Sequence, residues 1–333
     1  MAPVYRFRQH SRGAGAIRYD EPLLQLSPAT APAYLKARGL PEPDRIQELG
    51  GGISNTVLLA ESAGTRIVLK QALAKLRVEQ DWFSDPRRIF RESAAIARLA
   101  PVLPPGSLPE ILFEDHENHA FAMTAAPAGA ETWKARLLRG DVDPAIGGRI
   151  GEMLSAMVAA SWQNPAWHDP FADRTVFDEL RLDPYYRATA ARHPDLAAHF
   201  ERLTEPRPLS LVHGDWSPKN FLIAGDKVIA IDFEVIHFGD PAFDSGFLFN
   251  HLVLKAFFHP KCHDRYRAAA LRFRQATGDW ATLAHLGALM LARVDGKSPA
   301  EYLDAGLRTR VRAFARDLIL RPAADIGEVF DRI

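Results

Sequence analysis

The chain holds a single cysteine, Cys262, in 333 residues. A lone thiol cannot close an internal disulfide or build a cysteine-based zinc or iron–sulfur site, so a disulfide scaffold is excluded and a reducing compartment is indicated. An excess of one charge is missing as well, with 41 basic side chains against 41 acidic ones. That balance excludes a broad electrostatic footprint for nucleic acid and leaves only local patches. No run reaches the ~18 apolar residues of a membrane span. The arginine-bearing start, with Arg6, Arg8, Arg12 and Arg18, has no apolar stretch to serve as an export signal. The expectation is a cytoplasmic protein, monomer or homodimer, that engages neither nucleic acid nor membrane. Repeats and low-complexity tracts are also absent.

The length, at about 150 residues per domain, suggests two lobes. Residues 1–44 read as an extension whose one clear feature is a short helix bracketed by Thr30, Pro32 and Gly39. Short β-like runs follow at Arg45 to Leu49, Thr56 to Ala60 and Arg66 to Lys70, the last two joined by a Ser62-Ala63-Gly64 turn. From Pro86 to Ala100 the period changes to a helical one, carried by Ile89, Ser93, Ile96 and Leu99. A further strand pair is predicted at Glu110 to Phe113 and Ala120 to Thr124, then a hinge at Ala125 to Gly129. Beyond it, Ala145 to Ser161 and Phe177 to Ala191 read as helices, and Leu209 to Asp232 as two short strands around a polar loop. Strands first and helices afterwards make an α+β order, with a β-rich lobe at 45–126 and a helical lobe at 127–333.

The chemistry concentrates in His213-Gly214-Asp215-Trp216-Ser217-Pro218-Lys219-Asn220, followed by the apolar run Val228 to Ile231 and then Asp232-Phe233-Glu234. An Asp with an Asn five residues on, and a second Asp after an apolar strand, suits phosphoryl transfer. The first Asp orients and accepts the proton of an attacking hydroxyl, while the Asn and second Asp offer the hard oxygen ligands that magnesium prefers. Upstream, Gly50-Gly51-Gly52-Ile53-Ser54-Asn55 lets backbone N–H groups approach phosphates, although three glycines in a hairpin can equally be only a turn. Lys70 ends the third strand, and Glu92 falls between Ile89 and Ile96 on the apolar helix face, where a carboxylate needs a partner.

These motifs resemble the aminoglycoside phosphotransferase and choline kinase-like group of small-molecule kinases, over roughly residues 45 to 320. The resemblance implies a bilobal, protein-kinase-like fold that uses ATP and Mg. It implies Asp215 as catalytic base, Asn220 and Asp232 as metal ligands with Glu234 as a further residue there, and Asp244, with His213, as braces of the catalytic loop. Gly51, Gly52, Ser54, Asn55, Lys70 with Glu92, and Thr124 and Ala126 at the hinge would meet the nucleotide. Gly214 and Ser217 stand where protein kinases carry Arg and Lys, and no A-P-E segment follows, so a small-molecule hydroxyl acceptor is favoured over a protein.

Lys70-Gln71-Ala72-Leu73 with Arg77-Val78, and Asp232 through Gly239, are similar to methylthioribose kinases, but Asn220 and Phe233 depart from that pattern. From Arg293 to Arg316 six basic residues stand against three acidic ones, which leans away from a polycationic antibiotic. Arg293, Asp295 and Lys297 are the expected acceptor contacts. An aminoglycoside kinase and a non-catalytic nucleotide-binding protein stay as alternatives. The cluster His251, His259, Cys262 and His263 has no compact metal spacing, and Arg308, Arg310, Arg312 and Arg316 read most simply as a solvated helix face.

Overall fold

The computed structural model describes residues 23–50, 54–62, 64–75, 77 and 84–333. A proline in its first turn starts α1 (Ala31–Lys36), and Gly39, at φ 73°, turns the chain out of it. Five strands follow, interrupted by one helix: β1 (Arg45–Glu48), β2 (Asn55–Ser62), β3 (Thr65–Ala72), α2 (Arg88–Leu99), β4 (Ile111–Asp115) and β5 (Ala120–Thr124). They pair antiparallel in the order β1-β2-β3-β5-β4.

This sheet is covered on both faces. Leu26, Tyr34 and Leu35 pack on Leu58, Ile67, Leu69 and Ala122 from one side. Val68 and Ala72 join the main core on the other side, with Ile89, Ile96 and Leu99 of α2. Since side chains alternate along a strand, Lys70 falls on the side of Val68 and Ala72, toward α2. The segment before β1 is thus part of the β-rich lobe's core, and Gln71 ties it down by accepting from Leu26 N (2.7 Å) and donating to Leu24 O (2.8 Å).

The second lobe opens with β6 (Glu131–Thr132), α3 (Trp133–Leu138) and α4 (Pro144–Ser161), then α5 (Pro165–Phe171) and α6 (Thr175–Phe177). The helix expected at Phe177 to Ala191 is not one regular α-helix. Residues Asp178–Arg187 form a wide π-helical stretch containing Pro184, and α7 (Ala188–Arg192) continues it. A proline cannot donate its backbone N–H, and the wider turn accommodates it. After α8 (Ala197–Thr204) come β7 (Ser210–Val212), β8 (Phe221–Ala224), β9 (Lys227–Ala230) and β10 (His237–Gly239).

Where the sequence pattern suggested two strands, there are three before Asp232. β7 pairs with β10, while β8 and β9 form a hairpin beside β6, so the polar loop 213–220 carries the chain from one sheet to another. The remaining helices are α9 (Ala242–Phe258), α10 (His263–Thr277), α11 (Leu286–Asp295), α12 (Ala305–Leu320) and α13 (Ile326–Asp331). The apolar α9 is buried along nearly its whole length, which makes it the spine of this lobe.

Candidate active site

Lys70 and Glu92 meet as their strand and helix positions require. Lys70 Nζ lies 2.5 Å from Glu92 Oε2 and 2.7 Å from Asp232 Oδ1, linking the sheet, α2 and the helical lobe. Burial works against a charged Lys70, but Asp232, Glu92 and Glu234 more than reverse it and hold the ammonium protonated. Glu92 is fully buried, and that burial pushes its carboxyl up to about 7 against the pull of Lys70. Charges out of water persist only with such partners.

The catalytic-loop candidate is braced from α9. Asp244 is fully buried and accepts backbone N–H bonds from His213 (2.6 Å) and Gly214 (2.9 Å). Gly214 has φ 77°, and a Cβ there would press on Val235, so glycine suits both the backbone and the space. His213 Nε2–H donates to Ile231 O (3.2 Å) while Nδ1 accepts from Asp215 N (3.1 Å), and burial lowers the ring to about 4, so it is a neutral strut at pH 7. Asn220 Nδ2 donates to Asp215 O (2.9 Å), closing the loop on itself.

Asp215 is 3% exposed and carries two cationic neighbours: Arg181 Nη2 at 2.9 Å and Lys219 Nζ at 2.8 Å. Burial alone would raise its carboxyl, but Lys219 and Arg181 hold it far below the usual carboxylate range. Arg181 comes from the π-helical stretch and also donates to Gly214 O (2.6 Å). Nothing in the sequence near residue 181 pointed to this role. A basic residue on a wide, proline-containing helix is the only signal, and it is legible only after folding.

Asp232 sits directly after the β8–β9 hairpin with φ 69°, in the left-handed region that non-glycine residues seldom occupy. Such strain persists where the surroundings hold it, here through Lys70. With Asn220 Nδ2 committed to Asp215 O, its Oδ1 is the side-chain atom left to act as a ligand beside the Asp232 carboxylate. Two hard oxygen donors of this kind fit Mg2+.

Glu234, expected at the metal, has both carboxylate oxygens engaged elsewhere. Ser54 Oγ donates to Oε1 (2.8 Å), Asn55 Nδ2 donates to Oε2 (2.8 Å), and Arg88 Nε lies 3.6 Å away. In this arrangement Glu234 clasps the start of β2 to the helical lobe. Ser54 and Asn55 are thereby buried against Glu234, while Gly51 and Gly52 lie outside the described residues. At the hinge, Thr124 Oγ1 accepts from Glu110 N (2.9 Å), and Ala126 O accepts from Arg66.

The three expected acceptor contacts part company. Arg293 reaches the catalytic neighbourhood: its guanidinium donates to Ser298 Oγ (2.8 Å) and lies 3.5 Å from the hydroxyl of Tyr185, a residue of the same π-helical stretch as Arg181. Asp295 is held instead by His193 (2.9 Å) and by both arms of Arg312 (2.7 Å each). Lys297 is half exposed and pairs with Asp183 at 2.6 Å. Part of the basic run on α12 is neutralised in the same way, since Arg316 pairs with Asp195 at 2.6 Å. His259 is bonded to Leu138 O (2.6 Å) and His263 to Phe330 O (3.1 Å), so these two point to different elements.

A β-rich lobe with a strand lysine and a helix glutamate, joined to a helical lobe that supplies a braced Asp and a second Asp, is a kinase-like arrangement. The chain belongs to the APH family, the phosphotransferase enzyme family, whose model matches residues 45–286. It is similar to methylthioribose kinase of Escherichia coli O45:K1 (strain S88 / ExPEC), with 26% identity over 272 residues, covering 69% of this chain and 64% of that protein. A second methylthioribose kinase, of Exiguobacterium sibiricum (strain DSM 17290 / CCUG 55495 / CIP 109462 / JCM 13490 / 255-15), is 24% identical over 277 residues, covering 73% of this chain and 68% of that protein. The chain thus spans about two thirds of the length of these curated relatives. Among solved structures the fold is shared with amicoumacin kinase hAmiN in complex with AMP-PNP, Ca2+ and Ami, at TM-score 0.53 and 16% identity over 89% of this chain and 96% of that one. It is shared also with a mutant aminoglycoside 2'-phosphotransferase-IIIa in its GDP complex, at TM-score 0.53 and 13% identity over 92% and 96%. No described helix is long and apolar enough to cross a membrane.

Proposed function

We propose that this protein transfers the γ-phosphoryl group of ATP to a hydroxyl of a small metabolite that is not a polycation. The observation that carries the reading is Asp215, ionised and braced, with Lys219 reaching both it and Asp232, which in turn is held by Lys70 beside Glu92. Lys70 would hold the nucleotide phosphates, as a fixed cation already oriented by its two carboxylates. Asn220 and Asp232 would hold Mg2+, which supplies charge neutralisation along the phosphates when bound. Asp215 would orient the acceptor hydroxyl and take its proton as the O–P bond forms. With two cations beside it, Asp215 is a weak base, which suits a transition state in which the proton leaves late. Arg181 and Lys219 would stabilise charge on the transferring group.

Similarity to methylthioribose kinases supports a sugar-like acceptor, and the cations around Asp215 count against an aminoglycoside. The test is ADP production by purified protein with methylthioribose, homoserine, choline and kanamycin-like aminoglycosides. Acceptor-dependent turnover on a hydroxylated non-cation, abolished in Asp215→Asn with Mg·ATP affinity retained, is the expected result. Turnover on an aminoglycoside alone would overturn the substrate class, and wild-type turnover by Asp215→Asn would remove the base.

A further inference from the structure

Along α9, Phe247, His251 and Lys255 recur every four residues and so form one stripe about two turns long. The Phe247 end of the stripe lies beside the machinery. Its ring is 5.7 Å from that of Tyr185 and 5.9 Å from the guanidinium of Arg181, which holds Asp215. At the far end, Lys255 is completely buried with no carboxylate against it among the described residues. Its contacts are the Tyr302 ring, 5.3 Å from Nζ, and a long bond to His251 O of its own helix at 3.4 Å. Its charged neighbours are Arg293 and Lys134, both cations.

Around this ammonium, polar atoms are left over. His251 Nδ1, Arg293 Nε and Tyr302 Oη are buried without a hydrogen-bond partner among the described residues. Orphaned donors beside an unpaired buried cation are costly, and a fold retains them where something supplies the missing acceptors. His251, Arg293 and Tyr302 are each partly exposed as residues, while Lys255 is buried beneath them.

We propose that this cluster of Lys255, Arg293, His251 and Tyr302, with Lys134 nearby, seats an anionic oxygen group of the acceptor, a carboxylate or a phosphate. The proposal rests on the kinase reading above and narrows its substrate to a hydroxylated acid whose hydroxyl lies at Asp215. The electrostatics agree. Burial, then Arg293 and Lys134, lower Lys255 to about 7, and a bound anion would restore its full charge. His251 lies within electrostatic reach of Lys255 and Arg293 and also of Asp215, so the cluster and the base are near one another.

The test pairs acids with their neutral counterparts. Wild type, Lys255→Met and Arg293→Gln are assayed for ADP production with glycerate and gluconate, glycerol 3-phosphate and ribose 5-phosphate, then glycerol, glucose, ribose and methylthioribose, while Mg·ATP binding is followed by calorimetry. Turnover on a carboxylate or on a phosphate ester at least tenfold above its neutral partner is expected, and which series responds tells the two anions apart. Lys255→Met should raise the KM for that acid tenfold or more with Mg·ATP affinity unchanged, and should melt higher than wild type because an unpaired buried charge is gone. Arg293→Gln, at a partly exposed site, covers the case in which Lys255→Met fails to fold. Turnover confined to neutral compounds, no acid accepted although Mg·ATP binds, or an acid KM unchanged in both variants would each overturn the anion seat. Loss of Mg·ATP binding by wild type would instead overturn the kinase reading.

Discussion

Arg181 and Asp215 form a buried ion pair at 2.9 Å, and the same guanidinium donates to Gly214 O, so one side chain from the π-helical stretch grips the catalytic loop at two points. Lys219 completes the arrangement from within the loop. The pair links the least regular helix of the lobe to the residue on which the proposed chemistry depends.

Removing Arg181 should therefore shift the pH dependence of activity. Arg181 helps to keep Asp215 ionised, so in Arg181→Met the carboxyl rises and the acidic limb of kcat/KM moves to higher pH, by about 1 to 3 pH units. Arg181→Lys should recover part of that shift. A limb that stays in place in Arg181→Met would show that Lys219 alone sets the ionisation of Asp215.

Lys70 and Glu92 should behave as one unit. Breaking a buried ion pair from either side strands the other charge, at a cost of about 3–5 kcal/mol. In a double-mutant cycle of Lys70→Met and Glu92→Gln, urea denaturation should show a coupling of about 0.5–3 kcal/mol, because the second substitution removes a charge already stranded. Additivity would mean that Asp232 is the partner that matters.

Mg·ATP affinity should separate Asp232 from Asn220. Asp232→Ala removes a charged oxygen ligand and frees Lys70, whereas Asn220→Ala removes a neutral one and loosens the loop at Asp215 O. Calorimetry should show Asp232→Ala losing most of its affinity and Asn220→Ala losing less. Equal losses would contradict this ranking.

Asp244 carries a pH signature in stability. Burial, opposed only in part by the His213 and Gly214 N–H groups, raises it to about 7. The folded state then holds a proton that the unfolded state, with a carboxyl near 3.9, releases. The sign follows: this group's contribution to stability falls as pH rises from about 4 through about 7. Asp244→Asn, which keeps one acceptor oxygen, should gain on wild type over that interval in urea titrations. A constant difference between the two would show that Asp244 is ionised throughout.

The order of elements was legible because it rests on local rules. Short apolar runs bounded by turn residues marked β2, β3 and β5, the three- and four-residue spacing of Ile89, Ser93, Ile96 and Leu99 marked α2, and Pro32 and Gly39 bracketed α1. Asp215, Asn220 and Asp232 were legible for another reason: within one short stretch of chain their separations are set by a loop and a hairpin. Glu92 could be proposed in advance as the partner of Lys70 because the helix period places it on the apolar face of α2, where a carboxylate needs a cation. The net charge along α12 was not legible in this way, since Arg312 and Arg316 are taken up by Asp295 and Asp195, which only folding brings to them.

What the sequence by itself determined is the α+β order and the identity of the groups that suit phosphoryl transfer, because both follow from neighbours along the chain. Tertiary structure alone decided that Arg181 stands beside Asp215, where the carboxylate oxygens of Glu234 go, and that Lys255 is buried without a counterion among the described residues. Those outcomes depend on contacts between residues such as 181 and 215, 54 and 234, and 255 and 302, far apart in the chain. Charge and hydrogen bonding act through space over a few ångströms, so spacing along the chain says nothing of them until packing brings the partners together.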